Sequence, residues 1–213
     1  MMQKTDRLLP ILTGQPVIPV VAVDSVEDGV KLARALAKGG LKAIEVTLRT
    51  PAALEAIEAI SADVPEAICG AGTILKPADY TNSVNVGAKF IVSPGATVEL
   101  LDTAKKSDIP FLPGSATPSE LLAMIQEGYE VLKFFPAEQS GGIAYLKSLA
   151  PVFQSVKFCP TGGVSPHNAA DYLALPNVVC VGGSWVAPKG LIKDGAWDEI
   201  TALAEEAAKL SAG

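Results

Sequence analysis

A chain of 213 residues, 49% of them hydrophobic, is long enough to bury one substantial core and short for two, so residues 1–213 are expected to form one domain. A formal net charge of -6, with no lysine or arginine run, disfavours nucleic acid as a partner but leaves room for a small anion in a locally positive site. No apolar stretch approaches the ~20 residues that span a bilayer, and Cys69, Cys159 and Cys180, widely spaced among apolar neighbours, read as buried thiols of a reducing cytosol.

At the N-terminus, Lys4 and Arg7 precede apolar residues as in a secretory signal. Pro10, Gly14, Pro16 and Pro19 break that run, no small-residue cleavage site follows, and the segment reads as a lead-in to the first strand. From there a unit repeats: a short β-branched run, a Gly, Pro or Thr turn, then an Ala/Leu/Glu/Lys-rich segment at helical spacing. A strand from Val17 to Val23 leads to a helix from Val26 to Lys38, stopped by Gly39-Gly40. The second strand, Ala43 to Leu48, is followed by a helix that Thr50-Pro51 should open, with Leu54, Ile57 and Ile60 as its buried stripe. The third, Ala67 to Gly70, leaves through Gly70-Ala71-Gly72-Thr73, read as a tight strand exit because it lacks the third glycine of a dinucleotide turn. Strands from Lys89 to Val92 and Pro110 to Leu112 come next, then a helix opened by Thr117-Pro118, with Glu120 completing a capping box. The last three strands run from Glu130 to Phe134, Val156 to Cys159 and Val178 to Val181, with a helix opened by Ser165-Pro166 before the eighth.

Apolar strands alternating with helices imply a parallel sheet covered by helices, either open and doubly wound or closed. Eight regular units favour an α/β fold of the single (β/α)8 TIM barrel type, whose working residues collect at the C-terminal ends of the strands.

In the second strand, Glu45, Thr47 and Arg49 share a face at period two and present a carboxylate and a guanidinium to the lumen or its mouth. They read either as an acid/base group beside an anion clamp or as a structural ion pair. Lys133 stands among apolar residues near the exit of the sixth strand, whereas Lys89 and Lys157 begin their strands at the opposite end, where a lysine can snorkel. A nucleophilic lysine needs its free amine, and from a reference pKa of ~10.4 only about one in 2,500 is neutral at pH 7. Burial lowers a lysine by up to ~3–5 units and a carboxylate raises it by ~1–3. Lys133 therefore reads equally as a nucleophile and as an ammonium paired with Glu45. Thr161-Gly162-Gly163 after the seventh strand and Gly182-Gly183-Ser184-Trp185 after the eighth look like a phosphate cradle as well as sharp turns. His167, the single histidine, has no assigned role, and without a Cys/His cluster a zinc centre is not expected; a magnesium site of carboxylates and waters stays open.

The segments Ile44-Glu45-Val46-Thr47-Leu48-Arg49, Gly70-Ala71-Gly72-Thr73, Ser93-Pro94-Gly95, Pro113-Gly114, Lys133-Phe134-Phe135-Pro136-Ala137-Glu138, Phe158-Cys159-Pro160-Thr161-Gly162-Gly163 and Gly182-Gly183-Ser184-Trp185 occur in one order along the chain. In them the chain resembles the 2-keto-3-deoxy-6-phosphogluconate aldolase / 4-hydroxy-2-oxoglutarate aldolase family. The resemblance implies a cytoplasmic class I (Schiff-base) aldolase, commonly a homotrimer, that uses no cofactor and no metal. It implies Lys133 as the Schiff-base lysine, Glu45 as the proton shuttle, and Arg49 with Thr73 on the pyruvate portion. By the same resemblance Pro94 and Phe135 line the pocket, Thr161 touches the substrate chain, and Gly162, Gly163 and Ser184 receive the phosphate. Competing expectations are an aldolase for the galactonate epimer, a phosphosugar isomerase or epimerase, and a non-catalytic sugar-phosphate-binding barrel.

Overall fold

A computed structural model describes residues 4–210. Its strands are β1 (Val17–Val21), β2 (Ala43–Thr47), β3 (Ile68–Gly72), β4 (Ile91–Val92), β5 (Phe111–Leu112), β6 (Gly114–Ser115), β7 (Val131–Phe134), β8 (Lys157–Pro160) and β9 (Val181–Gly183). All pairings are parallel, in the orders β5-β4-β3-β2-β1-β9 and β6-β7-β8. Pro113, with no N–H for a ladder, separates β5 from β6, but its carbonyl accepts from Lys133 N–H at 2.9 Å, so the two halves form one stave. Bridges Phe158↔Val178 and Thr161↔Gly182 join β8 to β9. Eight staves thus curl into a TIM-type barrel, as the repeat predicts.

Around it lie α2 (Val26–Lys38), α3 (Ala53–Asp63), α4 (Pro77–Asn85), α5 (Val98–Lys106), α6 (Pro118–Gln126), α7 (Gly142–Leu149) and α8 (Ala169–Leu173), with α9 (Lys189–Lys193) and α10 (Trp197–Ala208) after the last stave. Among the described residues no helix is long and apolar enough to cross a membrane. Period-two alternation divides the core: Ile44, Val46, Leu132 and Phe134 pack outward beneath the helices. Ile18, Ala43, Phe90, Val92, Leu112, Val131, Cys159 and Cys180 form a separate inner cluster in the lower lumen.

The segment read as a lead-in to β1 is instead a helix, α1 (Thr5–Thr13), with Pro10 inside it. Leu8 and Leu12, four apart and 0% exposed, join the inner cluster and seal the N-terminal end of the barrel. Burying two leucines at ~1.5–3 kcal/mol each outweighs one interior proline at ~3 kcal/mol. Gln15 then fastens the chain to the sheet, donating from Nε2 to the carbonyls of Val17 (2.7 Å) and Ala43 (2.8 Å) and accepting from Ala43 N–H.

Helix α2 and the Thr117/Glu120 capping box of α6 stand as expected. Other boundaries move. Thr50 donates to the carbonyl of Val23 instead of capping, α3 begins at Ala53, and its buried stripe is Ala53, Ala56, Ile57 and Ile60, with Leu54 only half-buried. Ser165-Pro166 opens a turn held by Asn168 Oδ1, and α8 starts at Ala169. Gly70-Ala71-Gly72 continues β3 rather than leaving it, and Gly182-Gly183 lies within β9, which begins at Val181 rather than Val178.

Candidate active site

Glu45 of β2 and Lys133 of β7 both project into the lumen above the inner cluster. Lys133 Nζ lies 3.1 Å from Glu45 Oε1 and 3.4 Å from Oε2, with the two side chains 5% and 4% exposed. The room for this contact comes from β3: a Cβ at Gly72 would fall 2.1 Å from Glu45 Oε1. Phe135 closes another side, its ring centroid 5.4 Å from Nζ, where an ammonium is attracted by the ring face. Of the three lysines next to a phenylalanine, Lys89 is exposed and Lys157 reaches outward to the Pro176 carbonyl at 2.9 Å, while Lys133 is buried. A buried ammonium in contact with a carboxylate is stable as a pair, and the same contact is short enough for direct proton transfer.

Above this pair the C-terminal ends of the staves supply a polar rim. Arg49, exposed just beyond β2, donates from Nε to Thr73 Oγ1 at 3.1 Å. Thr73 has φ 61, a left-handed conformation that a β-branched residue avoids, so the chain holds its hydroxyl in place at a cost of ~1–3 kcal/mol. Pro94 and Phe135 follow β4 and β7 and are half-buried. Thr161 is buried after β8, and Gly162 and Gly163 turn away at φ 102 and 79. Among the described residues the N–H groups of these two glycines make no backbone hydrogen bond, which leaves donors at the rim of the kind that form anion-binding concavities. Ser184, exposed at the end of β9, lines a cavity of about 250 Å³ together with Val20, Thr47, Arg49 and Lys189.

All ten residues singled out in the sequence therefore belong to the C-terminal end of the barrel. Three features were not singled out: the cleft that Gly72 opens for Glu45, the lining residue Lys189, and a hydrogen bond from Tyr172 to Glu138. Neither glycine nor tyrosine carries a local pattern for such roles, because each depends on a neighbour from another stave. Two larger apolar grooves, between α4 and α5 and between α6 and α7, contain none of these residues. Burial pushes the Cys69 thiol up to about 12, and burial followed by the neighbouring Cys159 raises Cys180, so neither is disposed to act as a thiolate. Among the described residues, no group of three His, Cys, Asp or Glu side chains is placed to hold a metal ion.

The profile of the family described as KDPG and KHG aldolase matches residues 9–203. The KHG/KDPG aldolase of Escherichia coli (strain K12) is 49% identical over 197 residues, 92% of each chain. The 2-dehydro-3-deoxy-phosphogluconate aldolase of Pseudoalteromonas atlantica is 48% identical, covering 95% of this chain and 94% of that protein. Among solved structures, KDPG aldolase from Legionella pneumophila, with pyruvate captured at low pH as a covalent carbinolamine intermediate, superposes with a TM-score of 0.92 at 46% identity, covering 94% of this chain and 98% of that one. The Zymomonas mobilis ZM4 2-keto-3-deoxy-6-phosphogluconate aldolase with 3-phosphoglycerate gives a TM-score of 0.90 at 42% identity, covering 96% and 97%.

Proposed function

From its place in the KDPG and KHG aldolase family, to which the chain belongs, we propose that it is a class I aldolase that cleaves 2-keto-3-deoxy-6-phosphogluconate to pyruvate and glyceraldehyde 3-phosphate through a Schiff base on Lys133. The observation that carries this reading is the buried contact of Lys133 Nζ with Glu45 at 3.1 Å, beneath a rim that holds the Arg49 guanidinium and the N–H groups of Gly162 and Gly163. A covalent pyruvate carbinolamine in the Legionella relative supports the same chemistry, and 3-phosphoglycerate in the Zymomonas relative supports a phosphorylated substrate.

Glu45 is within reach to take the Lys133 ammonium proton, freeing the amine to add to the C2 carbonyl of the keto acid. The carbinolamine hydroxyl leaves as water, with its proton supplied by Glu45, and an iminium remains. That cation draws the electrons of the C3–C4 bond as the C4 hydroxyl gives its proton to the Glu45 carboxylate, glyceraldehyde 3-phosphate departs, and an enamine of pyruvate stays on Lys133. Glu45 returns that proton to the enamine methylene, and hydrolysis of the resulting iminium releases pyruvate and restores the Lys133 ammonium. The route calls on no metal or organic cofactor. Arg49 and Thr73 hold the carboxylate end, Pro94 and Phe135 line the pocket, Thr161 contacts the chain, and Gly162, Gly163 and Ser184 receive the phosphate. The same steps take 4-hydroxy-2-oxoglutarate to pyruvate and glyoxylate, and the family resemblance adds a cytoplasmic homotrimer of single-domain chains.

The test is borohydride reduction of the protein with pyruvate, followed by mass spectrometry of its peptides. An adduct on Lys133 is expected; folded protein with Lys133 unmodified would overturn the mechanism.

A further inference from the structure

On the reading that the Gly162–Gly163 turn receives the phosphate, we infer that Glu138 and Tyr172 are positioning residues that hold this turn. Through it they set how strongly the site prefers a phosphorylated substrate to an unphosphorylated one. Glu138 lies between β7 and α7. Ala137 N–H donates to the Thr161 carbonyl at 2.9 Å and Glu138 N–H to the Gly162 carbonyl at 3.1 Å, so this segment prolongs the pairing of β7 with β8 beyond the ends of both strands. The Glu138 side chain then crosses the turn: a Cβ at Gly163 would lie 2.5 Å from Glu138 Cγ.

The carboxylate is held from the far side, where Tyr172 of α8, 0% exposed, donates its hydroxyl to Glu138 Oε1. Asn168, just before α8, adds a bond from Nδ2 to the Gly163 carbonyl at 3.3 Å. Gly162 and Gly163 are thus gripped between the Glu138 segment and the start of α8.

Such a grip has a specific consequence. Glycines at positive φ give up much conformational freedom when a turn is ordered, and an anion site is strong only when its N–H donors are aimed before the ligand arrives. Burial, then the bond to Glu138, raises the Tyr172 phenol above its usual value, so it stays protonated and donating near neutral pH.

Steady-state cleavage of 2-keto-3-deoxy-6-phosphogluconate and of 4-hydroxy-2-oxoglutarate tests the inference. Tyr172→Phe is expected to raise KM for the phosphorylated substrate about five-fold, the value of one hydrogen bond, with its kcat unchanged and both constants for the unphosphorylated substrate unchanged. Glu138→Ala should lose at least as much, because it also removes the side chain that crosses the turn, and adding Tyr172→Phe to it should cost nothing further. Glu138→Gln, which keeps an acceptor oxygen, should restore most of the preference. Equal losses on both substrates, or no change in folded variants, would overturn the inference. Failure of the wild-type protein to cleave either substrate would instead overturn the aldolase reading beneath it.

Discussion

Glu45 and Lys133, 88 positions apart in sequence, meet at 3.1 Å in a lumen where neither side chain is more than 5% exposed. Each is the other's only charged partner among the described residues. Removing one therefore strands the other in a medium that disfavours a lone charge.

Lys133→Ala is expected to abolish cleavage and the pyruvate adduct, and to leave a folded barrel destabilised by about 3–5 kcal/mol through the unpaired carboxylate. Adding Glu45→Gln should recover part of that stability and none of the activity. Calorimetry with turnover assays checks both, and retained cleavage by Lys133→Ala would defeat the nucleophile assignment.

Gly72→Ala places a methyl where Glu45 Oε1 now lies, 2.1 Å from the added Cβ. The carboxylate must turn away from Nζ, and a displacement of this size lowers kcat by about 10²-fold. Single-turnover rates of adduct formation should fall with it. An unaltered rate would show that Glu45 does not act from this position.

Ser184→Ala should reduce kcat/KM for the phosphorylated substrate by about 10- to 100-fold, the range for a hydrogen bond to a charged group. The unphosphorylated substrate should be far less affected. Equal losses on the two substrates would mean the phosphate binds elsewhere.

Leu12→Ala opens a cavity in the sealed base of the barrel and is expected to lower stability by about 2–5 kcal/mol. The kcat of the folded fraction should not change, because the site lies at the other end. Denaturant titration and kinetics on one preparation separate these effects, and an unchanged midpoint would show that α1 contributes little to the core.

The Glu120 carboxyl lies below its usual value of 4.5; burial pushes it up, but hydrogen bonds from Ala116 N–H and from the Thr117 hydroxyl and N–H outweigh burial. A group depressed on folding stabilises the native state fully above its unfolded pKa and loses that contribution as pH falls through the folded value. Glu120→Ala should therefore lower Tm by about 2–4 °C at pH 7, as expected for a capping loss of ~1 kcal/mol. The gap should close well below pH 4.5, and a gap independent of pH would place the effect outside the carboxylate.

Local chemistry wrote clearly in this sequence. Val26 to Lys38 and the Thr117 capping box could be placed because their signals lie within one turn of the residues they organise. Thr50 misleads because its hydroxyl finds a carbonyl 27 residues away, at Val23, before it can cap α3. Helix α1 was hidden by Pro10, since the burial that overrides a proline comes from other staves. The glycines of β3 look like a turn but are strand residues trimmed for their lumen neighbours, Phe90 at Gly70 and Glu45 at Gly72. For the site, period two could put Glu45 on an inward face and position near the strand exit could favour Lys133, yet whether they touch depends on barrel closure, which no local pattern encodes.

With Leu8 and Leu12 stoppering the base, the lumen is a blind well with one opening. On the proposed mechanism, the half of the substrate attached to Lys133 would sit deepest and leave last, and the aldehyde half, nearer the rim, would leave first. Release would then be ordered, and run in reverse the barrel would load the keto acid before the aldehyde. Pyruvate should accordingly compete with substrate for the empty enzyme, whereas the aldehyde acts on the loaded one.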